Sequence, residues 1–144
     1  MSFLSSMNIS ASALTATRLR MDVIAENMAN INTTRTETGE PYRRKYVVYQ
    51  ERTNDRAFSE FFNRARKAPG GVRVVEIGTD MSEFKYDFNP SHPDADENGY
   101  VRLPNVEVVQ EMVDMMSAYR AYEANITALN AFKDMAVKTL EIGK

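Results

Sequence analysis

The glycine and proline residues of this chain are confined to its middle, and this placement limits which folds it can adopt. Ten of the eleven lie between Gly39 and Pro104, and the other is Gly143. Residues 1–38 and 105–142 therefore contain none of the residues that most often interrupt helices. The sequence predicts an α+β fold with a long helix at each end and a small β-rich central domain. The expected boundaries are 1–34, 35–104 and 105–144.

Apolar residues recur in alternating steps of four and three through the first of these segments. The series runs from Phe3 to Ile31, and only its small polar members Ser10 and Thr17 are not apolar. A mean period of 3.5 residues is typical of a coiled-coil seam. We expect this helix to end near residues 30–34, where Asn and β-branched residues weaken it.

The C-terminal segment repeats the pattern from Val108 to Leu140, with Lys133 as its one charged member. Asn105 precedes the run and is expected to cap the helix. Because both helices flank one folded middle, we expect them to pair as an antiparallel coiled coil. A second apolar stripe adds Val106, Val109, Val113 and Met116. A helix that is apolar on several sides needs several neighbours, so we expect other subunits to cover the surplus.

In the middle segment, apolar and polar side chains alternate as they do in short strands. We expect strands at 42–51, 72–77, 83–88 and 99–103. Residues 89–96 are expected to form a loop. A short amphipathic helix is predicted from Phe58, Phe61, Phe62 and Ala65, which have helical spacing. No apolar run approaches the ~20 residues of a membrane span. The N-terminus also lacks the pattern of a Sec-type signal peptide.

Charge is unevenly placed within the middle segment. Residues 32–78 contain ten basic and six acidic side chains, whereas residues 79–104 contain two basic and six acidic ones. One interpretation is an ordinary solvated surface. The other is that the positive surface of one subunit meets the negative surface of another. A nucleic-acid patch around Arg43, Arg44 and Lys45 is disfavoured, because the acidic stretch offsets its charge.

Few residues suggest catalysis or metal binding. His92 is the one histidine, and the chain has no cysteine. His92 lies near Asp94, Asp96 and Glu97, but their spacing matches no EF-hand loop. We therefore predict no catalytic residue, no metal site and no cofactor, and a protein that is not an enzyme. A small metal-dependent enzyme at this loop and a cytosolic coiled-coil adaptor remain as alternatives.

Two long motifs at opposite ends of the chain carry a family resemblance. Residues 10–34 (SASALTATRLRMDVIAENMANINTT) and 105–125 (NVEVVQEMVDMMSAYRAYEAN) resemble the paired signatures of bacterial flagellar rod and hook proteins. Hook and distal rod members usually continue Thr-x-Gly-Phe after the first motif, whereas this chain reads Thr-Thr-Arg-Thr at 33–36. That departure, with residues 41–45, 93–96, 99–101 and 140–144, resembles the proximal rod members.

The resemblance implies a structural subunit of the flagellar basal-body proximal rod. Such a subunit polymerises through its terminal helices into the torque-transmitting drive shaft, on the periplasmic side, after export by the flagellar type III apparatus. The implied partners are copies of itself, other rod proteins, rod–membrane-ring junction proteins and the export apparatus, with no nucleic acid. Another axial protein of the distal rod or hook remains an alternative.

The resemblance also implies which residues pack subunits together. Its first motif contributes Asn27, Asn30, Asn32 and Thr33, and its second contributes Arg120, Tyr122, Glu123 and Asn125. The predicted assembly interface adds apolar residues of the two helices: Phe3, Met7, Leu14, Met21, Ile24, Met28, Ile31, Met112, Met115, Tyr119, Ile126, Leu129 and Leu140. Apolar residues would supply cohesion, and the directional Asn, Arg and Glu contacts would fix register.

Overall fold

The computed structural model describes residues 3–52 and 70–142. Its elements, in chain order, are helix α1 (Phe3–Ala29), strands β1 (Lys45–Glu51), β2 (Val72–Thr79), β3 (Lys85–Phe88) and β4 (Tyr100–Leu103), and helix α2 (Val108–Ile142). The predicted α+β fold with two long terminal helices is confirmed. The predicted short helix at 58–65 lies outside the described residues.

The two helices pack against each other in opposite directions. Asn27 near the end of α1 contacts Glu111 near the start of α2, and Arg20, two turns earlier, contacts Asp114. The contacting residue numbers decrease along α1 in the direction in which they increase along α2, so the two helices are antiparallel. The chain leaves α1 through a turn in which the Thr33 N–H donates to the Asn30 carbonyl.

Strands β1 and β2 form an antiparallel pair that lies on α1. The register runs from Lys45 opposite Thr79 to Glu51 opposite Val72, with an irregularity after Val48. The Val72 N–H donates to the Ser12 hydroxyl at 3.1 Å. A Cβ on Gly71, which has φ +88°, would lie 2.2 Å from that hydroxyl. Glycine therefore permits both the backbone conformation and the close approach.

Strands β3 and β4 form a second antiparallel pair, and here one expectation is wrong. The alternation of Phe84, Tyr86 and Phe88 with Lys85 and Asp87 predicts a half-buried strand, yet all four residues of β3, Lys85–Phe88, are exposed. The register explains this difference, because it pairs Asp87 with Val101 and Phe88 with Tyr100. The side of the sheet that carries the buried Val101 faces the rest of the chain, so the aromatic side faces outward.

The buried apolar core is small and lies where the helices, the strands and the chain around Tyr42 meet. Its members are Ala16, Val23, Ile24, Tyr42, Val101, Val106 and Ala118. A cavity of about 220 Å³ lies between the helices and the β1–β2 pair, and its lining includes Ala16, Ala118 and Tyr49. Neither described helix is long and apolar enough to cross a membrane.

Candidate assembly interface

A buried polar junction joins both helices to the start of β1. The side chain of Asn27 is 0% exposed. Its Nδ2 donates to the Lys45 carbonyl at 2.9 Å and to Glu111 Oε2 at 3.1 Å. Its Oδ1 accepts from the Lys45 N–H and from the Tyr42 hydroxyl, each at 2.9 Å. Both amide donors and both acceptor positions of Asn27 are thus used within one chain.

Glu111 continues the junction on the side of α2. It is also 0% exposed, and its Oε1 accepts from Arg44 Nε at 2.6 Å. Arg44 Nη2 reaches Asp114 Oδ2 at 3.5 Å, and Arg20 Nη2 on α1 donates to Asp114 Oδ1 at 3.0 Å. The buried carboxylate is therefore paired and hydrogen-bonded, which is the condition under which a charge can be held inside a protein.

Burial controls the protonation of the tyrosine in this junction. Desolvation of the Tyr42 hydroxyl, followed by the negative charges of Glu26 and Glu111, raises its pKa to about 12. The hydroxyl therefore keeps its proton, and remains a donor to Asn27, at alkaline pH values where an ordinary tyrosine ionises. No buried side-chain polar atom of the described residues lacks a hydrogen-bond partner.

Asn105 links the two strand pairs to this junction and does not cap α2 as predicted. Its Oδ1 accepts from the Arg44 N–H at 2.8 Å. Its Nδ2 donates to the Asp80 carbonyl at 3.0 Å and to the Ser82 hydroxyl at 2.9 Å. The helix begins only at Val108, so the Asn105 side chain lies too early in the chain to cap it. It instead joins the chain before β1 to the chain between β2 and β3.

The seam of α2 against α1 differs from the predicted one at every second position. Its buried or half-buried members still alternate by four and three residues: Glu111, Met115, Ala118, Tyr122, Asn125, Leu129, Phe132 and Ala136. The prediction that Met112, Tyr119 and Ile126 face α1 is wrong, since all three are exposed. Glu111, which bonds to Asn27, and the small Ala118 face α1. The larger residues directly after them, Met112 and Tyr119, therefore point away from α1.

A broad apolar surface of α2 is consequently uncovered in the single chain. We call the following residues the outer stripe of α2: Val109, Met112, Val113, Met116 and Tyr119. They are between 51% and 70% exposed. Farther along, Ile126 is 36% exposed and Leu140 is 74% exposed. Exposed apolar residues that cluster in this way are typical of protein–protein contact surfaces.

The predicted interface residues of α1 have mostly intramolecular surroundings. Ile24 is buried, and Met7, Leu14, Met21 and Met28 are half-buried, as is Ile31 just after the helix. Nothing is described of the Phe3 side chain. These residues fit the helix pair of a single chain, and their predicted part in subunit packing stays a prediction.

The polar residues of the two motifs fall into three groups. Asn27 is used within the chain, as described above. Asn30 Nδ2 donates to the Glu26 carbonyl at 2.9 Å, and its Oδ1 accepts from the Thr33 hydroxyl at 3.1 Å, so both residues shape the turn after α1. The remaining members are exposed (Asn32, Arg120, Glu123) or half-buried (Tyr122, Asn125).

The loop that contains His92 uses its own polar atoms. His92 Nδ1 accepts from the Asp94 N–H at 3.1 Å, and Asp94 Oδ2 accepts from the Thr34 hydroxyl at 2.8 Å. Asp96 Oδ1 accepts from the backbone N–H groups of Asn98 and Tyr100. Within residues 3–52 and 70–142, no three His, Asp or Glu side chains are grouped so as to hold a metal ion.

The sequence pattern does not predict the central residues of the junction, which are Tyr42, Arg44, Glu111 and Asp114. One signal could have revealed Glu111. A second series with alternating steps of three and four residues passes through Glu111, one residue before Met112. A coiled-coil seam normally carries an apolar side chain at each such position, and Glu111 is acidic. A charge in that place indicates a buried partner, and the basic run at 43–45 offers one.

The sequence of this chain is similar to those of known flagellar proteins. Residues 7–35 match the family model for flagella basal body rod proteins, and residues 97–142 match the model for the C-terminal part of flagellar basal body rod FlgEFG proteins. The chain is 49% identical to the flagellar basal-body rod protein FlgC of Bacillus subtilis, covering 96% of this chain and 97% of that one. It is 46% identical to FlgC of Borreliella burgdorferi, covering 99% and 98%. It is 42% identical to FlgC of Salmonella typhimurium, and that match covers all of both chains. The chain belongs to the FlgC family of flagellar basal-body rod proteins.

Proposed function

We propose that this chain is a structural subunit of the proximal rod that polymerises through its terminal helices. The observation that carries the proposal is the outer stripe of α2, which remains exposed although α1 already covers the opposite seam. A rod subunit needs such a second surface, because each copy must bind neighbours as well as hold its own helices together. Family membership does not favour the cytosolic adaptor.

The terminal helices and the central segment are proposed to have different roles. We propose that the helical segments 1–34 and 105–144 form the assembling part, with residues 35–104 on the outside. The polar junction would hold the central segment at a fixed angle to the helix pair, since each of the three segments contributes one of its residues: Asn27, Arg44 and Glu111. Fixed geometry matters for a shaft that transmits torque without slipping.

The proposed interface gives different roles to the inner and outer residues. Met112, Tyr119, Ile126 and Leu140 are exposed and would contact neighbouring subunits directly. Ile24, Met21 and Leu129 would act indirectly, by holding the helix pair in the shape that presents those residues. Arg120 and Glu123 are exposed beyond the outer stripe and would fix the register between subunits.

Basal-body rod proteins assemble with other flagellar components. We propose in addition that the neighbours of this chain include copies of itself, other rod proteins and proteins of the rod–membrane-ring junction. We also propose that the flagellar type III apparatus exports it. The rod is built from repeated subunits, so a chain with two separate apolar helix surfaces fits this environment.

Deletion of the gene followed by complementation tests the proposal. Cells that express Met116→Asp or Tyr119→Asp should not swim, and their purified basal bodies should lack the chain, because a charge would be buried between subunits. Asn130→Asp, on an exposed part of the same helix, is the matched control and should restore swimming. Normal motility with either stripe variant would contradict the proposal.

We propose that the protein is not an enzyme, and His92→Ala separates the alternatives. The Nδ1 of this side chain accepts from a loop N–H, so its removal should alter only the local turn. A rod subunit would complement the deletion fully with this change. Loss of motility by a variant that is still incorporated into basal bodies would favour chemistry at the loop.

A further inference from the structure

The outward side of the β3–β4 pair is a compact aromatic surface. Opposite residues of an antiparallel pair lie on the same side of the sheet. The register places Tyr86 opposite Arg102 and Phe88 opposite Tyr100, so all four share one side. We call these four residues the aromatic face. Phe88 and Tyr100 contact each other edge to face, with 5.3 Å between ring centroids.

This face is uncovered in the single chain. The three aromatic side chains are between 45% and 65% exposed, whereas Val101 on the reverse side is 2% exposed. Tyrosine, phenylalanine and arginine are enriched at protein–protein interfaces, and tyrosine and arginine at the residues that dominate binding energy. The face is separate from α2, so the outer stripe cannot account for it.

The surroundings of the face are acidic. Glu83 and Glu97 are exposed and form no ion pair within the described part of the chain. Lys85 is paired with Glu107 and Arg35 with Asp94, whereas Arg102 on the face itself forms no ion pair within residues 3–52 and 70–142. A complementary partner therefore carries apolar or aromatic side chains together with positive charge.

Residues 53–69 of the same sequence have this chemistry. They contain three phenylalanines, Phe58, Phe61 and Phe62, and four basic residues against two acidic ones. Phenylalanine rings suit an aromatic surface, because edge-to-face pairs add about 0.5–1.5 kcal/mol beyond burial. Arg102 can also lie over an incoming ring.

The position of this segment in the fold points to a second copy. It joins β1 to β2 at the end where Glu51 lies opposite Val72, and Val72 bonds to Ser12 on α1. The β3–β4 pair is attached at the other end of the β1–β2 pair, through Asp80 and Asn105. The seven residues of β1 separate the two ends by about 23 Å. The residues that flank the segment, Arg52 and Gly70, thus lie at the end of the sheet away from the aromatic face of the same copy.

We propose that the aromatic face of one copy binds residues 53–69 of a second copy. The inference rests on the proposed polymerisation and adds a contact that does not involve the terminal helices. Because the two surfaces differ, the contact is head-to-tail and can extend along an open assembly.

The absence of cysteine from the natural sequence makes the proposal testable by crosslinking. Two differently tagged chains, one Tyr86→Cys and one Phe61→Cys, are expressed together in deletion cells. Basal bodies are then purified and treated with a short bismaleimide. We expect a dimer that carries both tags. Asp87→Cys, next along β3 but on the reverse side, is the matched control and should give at least five-fold less dimer.

Charge reversal provides a second measurement that does not depend on cysteine. Arg64→Glu with Arg66→Glu should reduce swimming, and Glu83→Lys with Glu97→Lys in the same chain should restore it. Failure of this restoration, or absence of the mixed dimer from basal bodies that contain both chains, would overturn the inference. So would a crosslink from Tyr86→Cys to a different rod protein. Absence of the unaltered chain from basal bodies would instead overturn the proposed function.

Discussion

The side-chain amide of Asn27 on α1 donates to the carboxylate of Glu111 on α2 across 3.1 Å, and both side chains are 0% exposed. The two residues are 84 positions apart in the sequence, so this bond closes the chain on itself. Arg44 and Tyr42 complete the contact from the central segment. A polar junction of this kind favours one alignment of the two helices, because a shift along the seam would leave buried polar groups unpaired.

Removing the buried carboxylate should strongly destabilise the fold. We expect Glu111→Ala to lower the free energy of unfolding by about 2–4 kcal/mol, since it removes the acceptor of Arg44 Nε and one acceptor of Asn27 Nδ2 inside the buried junction. Urea unfolding of the purified chain, followed by circular dichroism, measures this. Glu107→Ala, an exposed acidic residue one turn earlier, is the control and should cost below about 1 kcal/mol. Equal losses in the two variants would contradict the importance of the junction.

Alkaline pH should weaken the junction through Tyr42. Its pKa is raised from 10.0 to about 12 in the folded chain, so the unfolded chain loses this proton first as the pH rises. The contribution of Tyr42 to the free energy of unfolding is therefore fully present below pH 10 and is lost between pH 10 and 12. The loss is up to about 2–3 kcal/mol, at about 1.36 kcal/mol for each pKa unit. Urea unfolding at pH 9 and pH 11.5 checks the fall. Tyr42→Phe should be less stable at pH 9 by about 1 kcal/mol and should depend less on pH.

Two glycines of similar conformation should respond differently to alanine. Gly71 and Gly39 have φ of +88° and +81°, but a Cβ on Gly71 would meet Ser12, whereas one on Gly39 would meet nothing within 4 Å. We expect Gly39→Ala to cost about 1 kcal/mol from backbone strain alone, and Gly71→Ala to cost clearly more. Thermal unfolding of both variants measures the difference. A smaller effect at Gly71 would show that Ser12 moves aside freely.

A charge in the outer stripe should block assembly and leave the monomer folded. We expect Val113→Asp to change the free energy of unfolding by less than about 1 kcal/mol, because the side chain is 55% exposed. The same variant should be missing from basal bodies. Urea unfolding and immunoblots of purified basal bodies test the two halves of this prediction. An unfolded variant would show instead that the stripe supports the single chain.

The helices could be predicted from the sequence, whereas the junction could not. The four-three series and the absence of glycine and proline depend on neighbouring residues alone, so α1 and α2 follow from local pattern. The side of α2 that faces α1 depends on partners far away in sequence. Met112 and Glu111 both fit the spacing, and only Asn27 and Arg44, from two other segments, decide between them. The outward turn of Tyr86 and Phe88 likewise depends on the register with β4.

The junction also has a mechanical consequence. Asn27 on α1 bonds to the backbone of Lys45 at the start of β1, and Glu111 on α2 accepts from the side chain of Arg44, the residue directly before it. A load applied to the central segment is therefore shared between two antiparallel helices. Such an anchorage suits a subunit of a rod, because twisting the central segment in either sense would load both helices.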